Sequence, residues 1–234
     1  MSTDRKKRIA LYGGTFDPIH RGHLEIARKI SRLFEIDELW FVLARVAPHK
    51  QTRATTPAFD RYAMLALATQ ADPALLLSTF ELSSDGHTYT VDTLAHFKQL
   101  WSEAANIFFI MGADSWTEIT SWREWRRLLT LTNHIVVSRP GYALGFGHID
   151  ADIAARIVDV RGMESGEVNS LLSSRTSESI FITDAVMTDV SATAIRATAT
   201  GDSRELLDLV PDEVATYIRK YKLYRETNER KPNH

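Results

Sequence analysis

One stretch of twelve residues concentrates groups that could act on an anion: Gly13-Gly14-Thr15-Phe16-Asp17-Pro18-Ile19-His20-Arg21-Gly22-His23-Leu24. Paired glycines let a backbone approach a ligand closely. His20 and His23, three residues apart near a first helical turn, can face one anion. The apolar run Ile9-Ala10-Leu11-Tyr12 precedes the stretch, and Leu24, Ile26, Ala27, Ile30, Leu33 and Phe34 follow it with helical spacing. Strand, glycine turn and helix in that order aim backbone N–H groups and a helix N-terminus at a phosphate. The stretch has neither the G-K-[ST] of a Walker loop nor the G-x-G-x-x-G of a dinucleotide fingerprint.

A second candidate is Val190-Ser191-Ala192-Thr193-Ala194-Ile195-Arg196. It reads as a helix start with Ser191 at the N-cap and Arg196 one and a half turns on, so that N–H groups, hydroxyls and a guanidinium can converge on a polyphosphate. Taken alone, it reads first as a capped helix with a solvated arginine. Other residues carry similar alternatives. Trp122 and Trp125 suit a core, His49-Lys50 a solvated turn, and Asp114 a helix cap. A zinc site at His20 and His23 would need a further histidine or carboxylate, since the chain has no cysteine.

The first stretch resembles the signature of the nucleotidylyltransferase family, a glycine pair and Thr/Ser-Phe-Asp-Pro followed by His-x-Gly-His. The second resembles the same family's Ile-Ser-x-Thr-x-Ile-Arg motif, with Val190 in place of isoleucine. Between them stand Pro48-His49-Lys50, Thr88-Tyr89-Thr90-Val91-Asp92-Thr93-Leu94, Met111-Gly112-Ala113-Asp114-Ser115, Trp122 and Ser138-Arg139-Pro140-Gly141. That series is similar to the nicotinate branch of the family. It implies adenylyl transfer from ATP to nicotinate mononucleotide, giving deamido-NAD and pyrophosphate, with Mg²⁺ carried mainly by the ATP phosphates. Carried over position by position, the resemblance implies catalytic roles for His20 and His23. It implies ATP contacts from Gly13, Gly14, Thr15, Phe16, His20, His23, Gly112, Asp114, Ser191 and Arg196. Acceptor contacts would come from Lys50, Thr90, Trp122, Arg123 and Arg139, and no protein metal cage is expected. The chain departs from the family pattern at Ala44 and Ala47, where proline is common, and at Arg123, where an aromatic residue is frequent. Competing readings are a pantetheine-phosphate adenylyltransferase and a catalytically idle nucleotide-binding domain.

The elements that must position these residues follow from the hydrophobic pattern. Strands are expected at residues 8–12, 38–43, 75–79, 107–111, 134–138 and 179–182, and helices at 22–35, from Thr56-Pro57 onward, and at 90–101. The second helix should turn Phe59, Tyr62, Ala63, Leu65 and Ala66 towards a core, and the third Val91, Leu94, Ala95, Leu100 and Trp101. Alternation at this spacing predicts a Rossmann-like, doubly wound α/β fold with a mostly parallel sheet, helices on both faces and a small C-terminal helical part. The expected organisation is a single domain over 1–234: an α/β core at 8–189, interrupted by a surface excursion at 142–178 rich in Gly, Ser and Glu, and a helical part at 190–224.

Length and composition agree with that scale. The chain has 234 residues, 44 % hydrophobic and 25 % charged, enough for one large α/β domain. A net charge of −2 argues against a broad nucleic-acid-binding surface. No apolar run is long enough to span a bilayer, and no signal-like segment precedes the first strand. With no cysteine, the expected compartment is the cytoplasm. The basic cluster Arg5-Lys6-Lys7-Arg8 reads as a solvated tail, and the pattern leaves room for a homo-oligomer.

Overall fold

The computed structural model describes residues 5–45, 55–84, 86, 88–101, 104–138, 144–185, 192–199 and 205–224. Seven parallel strands form one sheet: β1 (Lys7–Gly14), β2 (Glu38–Leu43), β3 (Leu75–Ser78), β4 (Ala105–Gly112), β5 (Asn133–Val137), β6 (Ile157–Asp159) and β7 (Ile180–Thr183). Their order is β3-β2-β1-β4-β5-β7-β6, so the winding reverses between β1 and β4. Ligands of open parallel sheets bind at such a reversal, outside the carboxyl ends of the strands. Here those ends are Gly13-Gly14 and Met111-Gly112.

Both faces of the sheet are covered, which is why its strands read as continuous apolar runs. On one face Ala10, Tyr12, Phe41 and Phe108 meet α1 (Arg21–Leu33), α2 (Ala58–Thr69) and the C-terminal helices α9 (Ala192–Thr198), α10 (Glu205–Leu209) and α11 (Asp212–Lys220). On the other, Leu11, Val42, Phe109 and Val136 meet α4 (Thr90–Trp101), α5 (Ala113–Thr117) and α6 (Trp125–Leu131). A four-residue helix, α3 (Phe80–Ser83), follows β3. The helix at 90–101 has the expected bounds. Within it Thr93 and Phe97 are buried while Leu100 is exposed, because the inward stripe is rotated from the one read on hydrophobicity.

Three expectations are corrected. The 142–178 segment is not a mere surface excursion. Its described part contributes α7 (Ala151–Ala154), the edge strand β6 and α8 (Ser165–Ser174), with Val160 and Val168 in the core. In α2, Phe59 is exposed, and the buried positions are Arg61, Met64, Leu65 and Thr69. The basic cluster is not a solvated tail. Arg5 pairs with Asp37 at 2.8 Å, Lys7 with Glu38 at 2.5 Å, and Arg8 is buried, donating to Phe34 O at 2.9 Å and to Asn169 of α8. Among the described residues no helix is long and apolar enough to cross a membrane.

Candidate active site

The loop after β1 is shaped by aromatic packing. A Cβ on Gly13 would lie 2.9 Å from the Phe109 ring, and one on Gly14 would lie 2.8 Å from the Phe16 ring. The glycines therefore make room for buried rings. Phe16 takes a left-handed backbone (φ 45°), a strained geometry for a bulky residue. Its ring is fixed edge-on against Tyr12 at 5.5 Å, Phe41 at 5.3 Å and His23 at 5.1 Å. Asp17 is largely buried at the edge of the cavity described below. Its carboxylate accepts from Thr56 N–H at 3.1 Å and Tyr224 O–H at 2.7 Å, and its carbonyl accepts from Arg196 Nη1 at 2.7 Å. One residue of the loop thereby joins α2 and the C-terminal part.

His20 occupies the N-cap of α1 in extended conformation. The two imidazoles stack with centroids 3.6 Å apart, and His20 N–H donates to His23 Nδ1 at 3.3 Å. Holding Nδ1 as acceptor places the neutral ring's proton on Nε2, which makes that nitrogen a donor. His20 is 6 % exposed, and burial pushes its pKa down to about 4, so it is neutral near pH 7. Its Nδ1 makes no well-formed hydrogen bond among the described residues, and its side chain faces the His23 backbone N–H in a reciprocal capping box at the start of α1.

A cavity of about 800 Å³ opens over the winding reversal, within the size range of small-molecule sites. It brings together eleven of the fifteen residues singled out by sequence. At one end are Gly13, Gly14, Thr15, Phe16, His23 and Arg196, and beside them Gly112 and Asp114 at the start of α5. At the other are Thr90, Trp122 and Arg123. His20 does not line the cavity and lies behind His23. Lys50, Arg139 and Ser191 fall outside the described residues. A Cβ on Gly112 would meet nothing within 4 Å, so the sheet is open to the cavity there.

The far end is built by two elements. Tyr89 O accepts from the N–H groups of Asp92 and Thr93, at 2.9 and 3.1 Å, which starts α4 and presents Thr88–Thr90 to the cavity. The turn Ile119–Ser121 delivers Trp122, whose own N–H is engaged by Ile119 O at 3.0 Å. The Trp122 N–H is thus taken up within its own turn. Arg123 lies with its guanidinium carbon 4.6 Å from the Tyr89 ring centroid, bridging the two elements. Trp125 packs partly buried against the core under Arg126 and is not part of the cavity. Glu81 also lines this end and was not singled out by sequence. It accepts from Thr93 Oγ1 at 2.8 Å, and burial pushes its pKa up to about 7. Nothing local in the sequence marks it, since it sits on the four-residue α3.

Fold and site together define a Rossmann-like protein with a cleft at the switch point, lined by the glycine–histidine loop and by the aromatic Tyr89–Trp122 wall. The sequence model described as cytidylyltransferase-like matches residues 11–198. A Thermoanaerobacter sp. (strain X514) protein named "Probable nicotinate-nucleotide adenylyltransferase" is 34 % identical over 97 % of this chain and 98 % of its own length. A Mycolicibacterium vanbaalenii protein of the same name is 37 % identical over 96 % of this chain and 95 % of its own. Among solved structures, the Plasmodium falciparum nicotinic acid mononucleotide adenylyltransferase complexed with APC superposes with a TM-score of 0.65. It is 25 % identical, covering 93 % of this chain and 97 % of that one. The chain belongs to the cytidylyltransferase-like family and, within it, to the nicotinate-nucleotide adenylyltransferases.

Proposed function

We propose that the protein transfers the adenylyl group of ATP to nicotinate mononucleotide, giving deamido-NAD and pyrophosphate in NAD biosynthesis. The observation that carries this reading is a single cavity lined by both the glycine–histidine loop and the Thr90–Trp122 wall. The acceptor's phosphate oxygen attacks the α-phosphorus in line, a P–O bond forms, and the bond to the β-phosphate bridging oxygen breaks. No protein nucleophile is needed, so catalysis rests on positioning and on charge stabilisation at the α-phosphate.

His23, held as an Nε2 donor, serves the phosphate oxygens, with His20 behind it fixing its tautomer through the N-cap N–H. Thr15, Arg196 and, outside the described residues, Ser191 supply further donors to the polyphosphate. Lys50 and Arg139, also outside them, are assigned to the acceptor. The Trp122 indole suits the planar pyridine ring. Arg123 over Tyr89 puts a cation at the acceptor end, which suits a substrate carrying a carboxylate.

Among the described residues no group of three His, Cys, Asp or Glu side chains could hold a metal ion. The cavity carboxylates Asp114 and Glu118 fit a hydrated Mg²⁺ that takes most of its ligands from phosphates and water. When bound, such an ion neutralises charge on the triphosphate. The absence of cysteine suits a cytoplasmic enzyme. Incubation with ATP, Mg²⁺ and nicotinate mononucleotide, followed by chromatographic identification of the product, tests the reading. Deamido-NAD is expected, and its absence with a folded protein rejects it.

A further inference from the structure

Among the described residues Arg61 is the most deeply buried charged side chain, at 1 % exposure, and the transfer chemistry above does not use it. Its guanidinium makes four hydrogen bonds, all to backbone carbonyls. Nε donates to Thr56 O at 2.9 Å, Nη1 to both Thr15 O at 2.7 Å and Ala44 O at 2.8 Å, and Nη2 to Arg45 O at 2.9 Å. These acceptors belong to three separate segments: the loop after β1, the loop after β2 and the entry to α2.

Two features distinguish this from ordinary core filling. Among the described residues Arg61 forms no ion pair, and burial lowers its pKa while the field of Asp17 opposes that shift. A guanidinium stays charged in such surroundings. Moreover, Thr15 and Ala44, tied to one and the same Nη1, both line the cavity. The backbone of Thr56 is held on both sides, its C=O by Arg61 and its N–H by Asp17. The rim of the glycine loop and the rim of β2 are therefore registered against one rigid, planar group.

We propose that Arg61 is a positioning residue for adenylyl transfer. By fixing Thr15 against Ala44 it sets the separation at which the acceptor phosphate meets the α-phosphorus. The inference rests on the adenylyl-transfer reading. A misplacement on the order of 1 Å from a group remote from the reacting atoms costs on the order of a hundredfold in rate. Binding of either substrate alone depends far less on that separation, because each occupies its own end of the cavity.

Arg61→Lys separates geometry from charge. It keeps the cation but cannot span four carbonyls from one planar fork. Single-turnover rate, the Kd of ATP and of nicotinate mononucleotide measured separately by calorimetry, and thermal unfolding are compared with the wild type. The expected result is a folded variant with a single-turnover rate reduced by about thirtyfold or more and each Kd within about threefold. A rate within about threefold of the wild type overturns the proposal, as does a loss confined to the two Kd values. A variant that fails to fold assigns Arg61 to scaffold stability and also overturns it. If the wild type itself releases no pyrophosphate under the same conditions, the reaction assigned to the site fails first, and the two failures are told apart by that control.

Discussion

His134 gives a pH dependence of stability that can be worked from the structure. It lies on β5 with 0 % exposure, its Nδ1 2.9 Å from Thr132 O and its Nε2 buried without a partner among the described residues. Burial, with a smaller push from Arg156, lowers its pKa from 6.5 to about 3. The folded protein therefore keeps this imidazole neutral down to about pH 3, whereas the unfolded chain protonates it at 6.5. Between those values the unfolded state binds more protons, so the contribution of His134 is present above 6.5 and is lost as pH falls. At pH 5, about 1.5 units below the unfolded value, the loss at about 1.4 kcal/mol per unit is about 2 kcal/mol. His20, lowered to about 4, acts in the same direction, and Glu81, raised to about 7, acts in the opposite one. The clean measurement is thus a double difference. Denaturant unfolding is followed at pH 7 and pH 5 for the wild type and for His134→Leu. Leucine cannot titrate, and the substitution also removes the orphaned Nε2. The wild type should lose about 2 kcal/mol more than the variant between the two conditions, or about 4–8 °C in Tm for a chain of this size. Equal losses would refute the reasoning, because they would mean that His134 takes up its proton without unfolding.

Other outcomes concern the site. His23→Ala should lower kcat on the order of a hundredfold or more by removing a phosphate donor. Its stability cost should be only about 1 kcal/mol, from the lost His20 N–H contact, as read from parallel steady-state assays and thermal melts. Arg196→Ala should raise the KM for ATP and leave the acceptor KM within about twofold. It should also cost some stability, since Nη1 ties the C-terminal part to Asp17 O at 2.7 Å. Trp122→Ala should raise the acceptor KM by about tenfold or more with the ATP KM nearly unchanged, and a selective rise for ATP instead would misplace the pyridine ring.

Much of the sheet was legible because buried parallel strands are short apolar runs and their helices carry a strong 3.6-residue period. The helix at 90–101 and the strand at 38–43 were read to the residue. What was missed depends on distant partners. Arg61 looks like a surface position in an amphipathic helix, and its burial follows from carbonyls of residues 15, 44 and 45, which local periodicity does not register. Phe59 was placed inside for the complementary reason. β6 is three residues long, too short for a period, and the Ser/Glu/Gly-rich stretch at 165–179 that follows drew the whole segment into a loop reading. At the site, the family motifs, not the residue types alone, gathered eleven of the fifteen candidate residues around the cavity. The depth of His20 and the engagement of Asp17 by Tyr224 were not legible, and the second joins residues 207 positions apart.

The central claim is adenylyl transfer to the acid form of the pyridine mononucleotide. It is tested most directly by pyrophosphate release from ATP and Mg²⁺ with nicotinate mononucleotide, nicotinamide mononucleotide or no acceptor, side by side. The account predicts acceptor-dependent release, with kcat/KM at least about tenfold higher for the nicotinate form, about 1.4 kcal/mol in barrier. Equal turnover of the two, or preference for the amide, would contradict the specificity assigned to the Thr90–Arg123 wall. Release that ignores the acceptor would contradict the transfer itself.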